Sequence, residues 1–227
     1  MKRNSLLMLA TALQILLLAP LASWVHNHPI NGFDLKITRT AQKTQSPFLD
    51  ALSRCLSLLA SWQFVNIVAI PLAFALWRAR LRLEAAMFVS VAVLMTAGRK
   101  LLQGIVRRPR PNPALVHVAK PKKSESFPSG HATTAMGGWG WLSLLVGLLL
   151  KKKPRWRAAV LSGMMLIITL AGPSRVYLGE HWTTDVLGGY LYGGAWLSLS
   201  YQLYLILKDK GVLSDKKEIR HSLKSRK

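Results

Sequence analysis

Cysteine and acidic residues are both scarce in this chain. Cys55 is the single cysteine among 227 residues, which excludes an intrachain disulfide, and its apolar surroundings give it a packing role by default. Only 9 Asp and Glu stand against 31 Lys and Arg, a net charge of +22. An excess of that size suits nucleic acid as a partner, but no DNA- or RNA-binding motif accompanies it, and the basic residues fall between apolar blocks. No internal repeat and no low-complexity linker divides the chain.

What the chain has in abundance is apolar length. Hydrophobic residues make up 51% of it, gathered in six blocks near 5–25, 56–77, 84–104, 131–150, 157–173 and 185–207. Each is about long enough to cross a hydrocarbon core of roughly 30 Å as a helix. Gly, Ser and Thr interrupt some of them, as close helix packing in lipid requires. The pattern predicts an all-α integral membrane bundle of six transmembrane helices. The first block follows Lys2-Arg3 and ends in small residues, as a cleaved signal would, but its apolar run is long for one, so we expect an uncleaved helix.

The basic residues then orient the chain. Lys2-Arg3, Arg78/Arg80/Arg82, "KKKPRWR" at 151–157 and the tail 208–227 all fall on one side of a six-span arrangement. That side is expected to be cytoplasmic, with both termini. Segments 26–55, 105–130 and 174–184 fall on the other side. The second of these carries Arg107, Arg108, Arg110, Lys120, Lys122 and Lys123, against the positive-inside rule, and so asks for an anion.

Two stretches on that side can do chemistry. In "PSRVYLGEHWTTD", His181 and Asp185 are four residues apart and share a face if the last helix begins near His181. A carboxylate beside an imidazole fixes its tautomer and raises its basicity. In "SFPSGH", residues 126–131, Ser129 and Gly130 stand at the mouth of the fourth helix, where free N–H groups and the helix dipole favour an anion. The run "RRPRP" adds guanidinium forks, its prolines holding Arg108 and Arg110 extended and toward the aqueous face. Either stretch alone would pass for a helix cap or a surface ion pair. Together they converge on one outer surface.

"SFPSGH" followed by Ser174-Arg175, five residues, His181, three residues and Asp185 resembles the type 2 phosphatidic acid phosphatase family, membrane enzymes that share their phosphate site with soluble vanadium haloperoxidases. The resemblance covers nearly the whole chain, with 1–207 as the six-helix phosphatase domain and 208–227 as a basic cytoplasmic tail outside it. It implies a phosphatase without metal or other cofactor, working through a phosphohistidine. His181 would be the nucleophile, Asp185 its orienting partner and His131 the acid that protonates the leaving oxygen. Arg110, Arg175, the Ser129 hydroxyl and the Gly130 amide would hold the phosphoryl oxygens. The family's first motif, a lysine six residues before Arg-Pro, is imperfect here. With Arg110-Pro111 as anchor, Gln103 stands where the lysine belongs, and Lys100 lies one helical turn earlier as a substitute.

The expected site therefore sits at the outer membrane–water interface, facing periplasm or exterior, and the short basic N-terminus and compact loops suggest a bacterial cell membrane. The expected partner is a lipid phosphate in the bilayer, not nucleic acid. Phosphatidate, phosphatidylglycerophosphate, undecaprenyl diphosphate and diacylglycerol diphosphate all fit. A lipid phosphotransferase using the same intermediate, or a non-catalytic lipid-phosphate binder, are the alternative readings.

Overall fold

A computed structural model describes residues 2–213, and every regular element among them is helical. The first apolar block is α1 (Lys2–Asn27), with Leu6, Leu9, Leu13 and Leu16 exposed along one face and Met8 and Ile15 exposed on the opposite one. A helix apolar on all sides suits lipid rather than water. Segment 26–55, which lies between the first two apolar blocks, holds α2 (Gly32–Ala41) and part of α3 (Pro47–Leu59). Both have local start signals. Asn31 accepts from the Asp34 N–H, Ser46 accepts from the Leu49 N–H, and Pro47 stands where its missing N–H costs nothing. Cys55 lies on α3 and is exposed rather than packed.

The second apolar block spans a bend. α3 meets α4 (Trp62–Arg78) at 45°, with Ser61 capping the new helix at Phe64 N–H. The Trp139 indole N–H donates to Leu59 O at 3.0 Å and ties this corner to the bundle. α5 (Arg82–Val106) runs back and stops at Arg107, which turns left-handed (φ 49°) just before Pro109. The fourth segment begins as α6 (Gly130–Thr134), widens into a π-helical turn over Ala135–Trp139, and continues as α7 (Gly140–Leu149). α8 (Pro154–Tyr177) and α9 (Thr183–Asp209) complete the bundle.

By length and composition, four helices of the described residues can cross a membrane: Ser5–Asn27, Arg82–Val106, Gly130–Leu149 and Pro154–Tyr177. The bent pair Pro47–Leu59 and Trp62–Arg78 makes a fifth if it counts as one crossing. The sixth block, now α9, is not in that set. It packs against α1, α5, α6 and α8, so glycine, tyrosine and serine take up faces that lipid would have filled with aliphatics. Residues 214–227, most of the basic tail, lie outside the described residues.

The apolar core, with Leu83, Phe88, Trp141, Leu145 and Tyr204, fills the half of the bundle around the α4–α5 and α7–α8 turns. The other half holds the polar groups. There α6 and α9 touch backbone to backbone: a Cβ on Gly189 would stand 2.7 Å from Ser129 O, so only glycine lets "SFPSGH" reach the start of α9. Ser129 N–H donates to Asp185 O at 2.9 Å across the same seam. Gly179 ends α8 with φ 63°, and a Cβ there would meet His117 O at 1.8 Å, so the turn into Glu180 and His181 needs it too.

Candidate active site

The two arginines of "RRPRP" part company. Arg108 is buried, not turned to the aqueous face as its sequence neighbourhood suggested. Its Nη1 donates to Asp185 Oδ1 at 2.7 Å and Thr184 Oγ1 at 2.6 Å, its Nη2 to Asp34 Oδ2 at 2.6 Å, and its Nε to Pro29 O at 3.0 Å. Two carboxylates drawn from α2 and α9 outweigh solvent for this side chain, because a buried guanidinium needs all its donors met. Asp34 also takes Thr184 N–H at 2.9 Å, which clips α2 to the start of α9. Arg108 is a brace.

Arg110 faces His181. Its Nη1 lies 3.0 Å from His181 Nε2 and donates to Glu180 O at 2.7 Å, while its Nε donates to Ser124 O at 3.0 Å. The Arg110-Pro111 register is thus the one that brings an arginine to the histidine. On the other side of the ring, Nδ1 lies 3.5 Å from Asp185 Oδ2 and 3.4 Å from Ser126 Oγ. Asp185 Oδ2 is held in turn by Trp182 N–H at 2.9 Å and by the Ser126 hydroxyl. With the Nδ1 proton directed at Asp185, Nε2 carries a free lone pair toward Arg110.

Burial pushes the His181 imidazole well below its usual range, and the charges of Arg110, Arg175 and Lys122 push it the same way. The contact with Asp185 is therefore a long polar approach of 3.5 Å by a neutral ring rather than an ion pair. That state is what a nucleophile needs.

Arg175, at the end of α8, donates from Nη1 to Ser57 Oγ and from Nη2 to Glu180 Oε2. Its Nε is buried and meets no acceptor among the described residues. His131 Nε2 stands 3.4 Å from the same Ser57 hydroxyl, so one serine of α3 bridges the arginine and the second histidine. Tyr177 donates to Asp50 Oδ1 at 2.6 Å and holds α3 in place for this. Ser129 Oγ accepts from Ala132 N–H at 3.5 Å and caps α6, whose first N–H groups, Gly130 among them, have no partner within the helix.

Arg110, Arg175, His131, His181, Ser57 and Gly130 border one cavity of ≈ 840 Å³, which Gln103, Lys100 and Arg99 of α5 also line, whereas Ser129 and Asp185 are fully buried and do not line it. Gln103 donates to Glu125 O at 3.4 Å, a weak contact, and Lys100 is exposed. Lys122 reaches in from the 107–129 loop, its Nζ 2.6 Å from Glu180 Oε2. Burial lowers the Lys122 ammonium, an effect its pairing with Glu180 opposes. Ser57, Glu180 and Arg99 escaped the sequence reading, while Lys122 entered it only as one of the outer cations and Ser126 only as the first residue of "SFPSGH". Glu180 alone had a local signal, being the residue between Gly179 and His181. His131, His181 and Asp185 form no ligand cluster, and the described residues hold no group of three or more His, Cys, Asp or Glu placed to bind a metal.

Fold and site together define a helical membrane protein that sets a neutral histidine against a ring of cations. The chain belongs to the PAP2 superfamily, whose family model matches residues 81–208. Among curated proteins it is 28% identical to phosphatidylglycerophosphatase B of Bacillus subtilis (strain 168) over 176 residues, covering 76% of this chain and 84% of that one. It is 27% identical to the undecaprenyl-diphosphatase of Sulfolobus acidocaldarius over 179 residues, 76% of this chain and 79% of that one. A crystal structure of a transmembrane PAP2-type phosphatidylglycerolphosphate phosphatase from Bacillus subtilis has the same fold, with a TM-score of 0.75 at 24% identity over 89% of this chain and 96% of that one.

Proposed function

We infer that the chain is a membrane lipid phosphatase that works through a phosphohistidine. The observation that carries this is His181, neutral and buried, with Nδ1 directed at Asp185 and Nε2 at the Arg110 guanidinium 3.0 Å away. A phosphoryl group enters between them, taking Arg110, Arg175 with its unmet Nε, Lys122 and the Ser129–Gly130 turn as its ligands. Gln103 and Lys100 stand at the edge of the same cavity, in reach of the part the family gives to lysine.

Nε2 attacks phosphorus and the bond to the lipid oxygen breaks, with a proton from His131 going to that oxygen. Water then gives a proton back to His131 and attacks the phosphohistidine, the P–N bond breaks, and the electron pair returns to Nε2 as inorganic phosphate leaves. Lipid suits the site because a second cavity of ≈ 400 Å³, lined by Val65, Phe88, Val91, Trp141 and other apolar groups, shares Trp62, Met95, Thr96, Lys100 and Thr134 with the catalytic one. An acyl or prenyl chain can lie there while the phosphate reaches His181. With α9 and the bent pair each crossing the bilayer, the chain makes six spans, with both termini cytoplasmic and the site on the far side.

The test is release of phosphate from a panel of lipid mono- and diphosphates by the purified protein, with and without excess EDTA. Release that survives chelation supports the reading. Release that EDTA abolishes and zinc or magnesium restores overturns the cation-ring chemistry, and no release from any lipid overturns the function.

A further inference from the structure

Two of the six cations in 105–130 that run against the positive-inside rule have no part in the chemistry above. Arg108 is spent on Asp34 and Asp185, and Arg110, Lys120 and Lys122 line the catalytic cavity. Arg107 and Lys123 remain, both exposed, and they line a separate polar hollow of ≈ 450 Å³ within the loop 107–125. Arg107 Nε donates to Gly104 O at 2.9 Å, while its two terminal nitrogens meet no acceptor among the described residues. Lys123 forms no hydrogen bond or ion pair with any described residue. Glu125 is the single acid among the residues lining this hollow.

The hollow has its shape before any anion arrives. Pro109, Pro111, Pro113 and Pro121 line it, each with φ fixed by its ring, and Ser126 N–H donates to Arg108 O at 2.8 Å to pair the two limbs of the loop. An anion bound there orders little that is not already ordered. The hollow is also contiguous with the catalytic cavity, since Arg110, Lys122 and Ser124 line both. Arg110 is the partition. Its Nη1 lies 3.0 Å from His181 Nε2, and its Nε donates to Ser124 O at 3.0 Å. Arg107 and Lys123 border the hollow and not the catalytic cavity, whereas His131 and His181 border the catalytic cavity and not the hollow. An anion in the hollow is therefore out of the reach of the nucleophile.

Phosphate freed from His181 leaves a cup of cations, and release straight into water loses that attraction in one step. A neighbouring positive concavity divides the step, because charged walls focus the potential along a cleft. We propose that the outer hollow is a second phosphate site, which holds the inorganic phosphate leaving His181 before it reaches bulk water. This rests on the phosphatase reading above. Lys122, bordering both cavities, stays beside the anion on the way. The phosphate of a neighbouring phospholipid headgroup has the same chemistry, so the experiment must separate the two sources.

The full chain hydrolyses a lipid monophosphate in zwitterionic mixed micelles, with added inorganic phosphate and the ionic strength held by sodium chloride. Phosphate at His181 excludes the lipid and so raises KM alone. Phosphate in the outer hollow leaves room for the lipid but blocks the next exit, so wild-type kcat should fall as well. In the double variant Arg107→Gln/Lys123→Gln, the hollow should bind phosphate at least about 10-fold more weakly, and the effect on kcat should vanish over the same phosphate range. Without added phosphate, kcat/KM of that variant should stay within about 3-fold of wild type, because exposed charges outside the catalytic cavity are screened. Wild-type inhibition confined to KM, or a kcat effect that survives in the variant, would overturn the proposal. Phosphatidylglycerol added to the micelles should leave the kcat effect in place. If it removes the effect, a lipid headgroup is the occupant and the exit reading falls. A second measurement needs no turnover: equilibrium dialysis of radiolabelled phosphate should show a second bound equivalent in wild type that the double variant lacks. One equivalent in both overturns the site. Phosphate release from no lipid overturns the phosphatase reading, whereas a second equivalent lost with Arg107 and Lys123 still supports the outer phosphate site.

Discussion

Arg108 and Arg110 stand two residues apart and should fail in opposite ways. Both side chains of each Arg108 ion pair are at most 1% exposed, and three of its nitrogens are donors. Arg108→Ala strands Asp34 and Asp185 as buried, uncompensated carboxylates, which costs about 3–5 kcal/mol. For a chain of this size, 1 kcal/mol moves Tm by roughly 2–4 °C, so the melting midpoint in detergent should fall by about 10 °C. Asp34→Asn in the same chain should restore part of the loss, because one stranded charge is gone. Arg110 lines an open cavity and its main protein partners are carbonyl oxygens. Arg110→Ala should therefore shift Tm by only a degree or two, while kcat/KM falls about 10²–10³-fold through the lost transition-state donor. Paired thermal melts and phosphate-release kinetics on the two variants decide the matter. A stable Arg108→Ala protein without activity would mean that Arg108 binds phosphate and that the brace has been misread.

The remaining expectations concern protonation and topology. Since the folded protein lowers the His181 pKa, the ring stays neutral as pH falls through its ordinary range, and the acid limb of kcat/KM appears only below it. Lys122→Met removes one of the charges pushing it down, so the limb should move to higher pH on the same substrate. A limb that stays put would sever Lys122 from the nucleophile. His131→Ala should cripple a monoester far more than a diphosphate, because an alkoxide is a far more basic leaving group than a phosphate and needs the proton far more. Equal fractional losses, measured as kcat/KM with product release checked separately, would make His131 a binding group rather than the acid. In a Cys55→Ser background, a cysteine at position 122 should react with an impermeant thiol reagent in intact cells and one at position 152 should not. The reverse pattern would invert the proposed orientation.

Much of the site could be read without coordinates because its signals are local. His181 and Asp185 are one helical turn apart, Ser129-Gly130 announces a helix start, and Arg110-Pro111 lies where an extended residue must precede proline. Apolar length likewise announced the helices, and the block ends fall within a few residues of α1, α5, α8 and α9. Segment 26–55 was legible only as polar, since α2 and α3 are short and amphipathic and their apolar faces never form a continuous run.

What the tertiary structure alone decided is which side chain meets which. Nothing near Arg108 in sequence distinguishes it from Arg110; the difference is Asp34, 74 residues away, and Asp185, 77 residues away, closing on one of them. Ser57 reaches Arg175 across 118 residues, and Arg99 comes to lie under Gly130 only because α5 and α6 border the same cavity. Helical periodicity and capping act within a turn or two, so residues carry that information themselves. The charge balance of a buried site depends on helices brought together by packing, and no short stretch of the chain contains it.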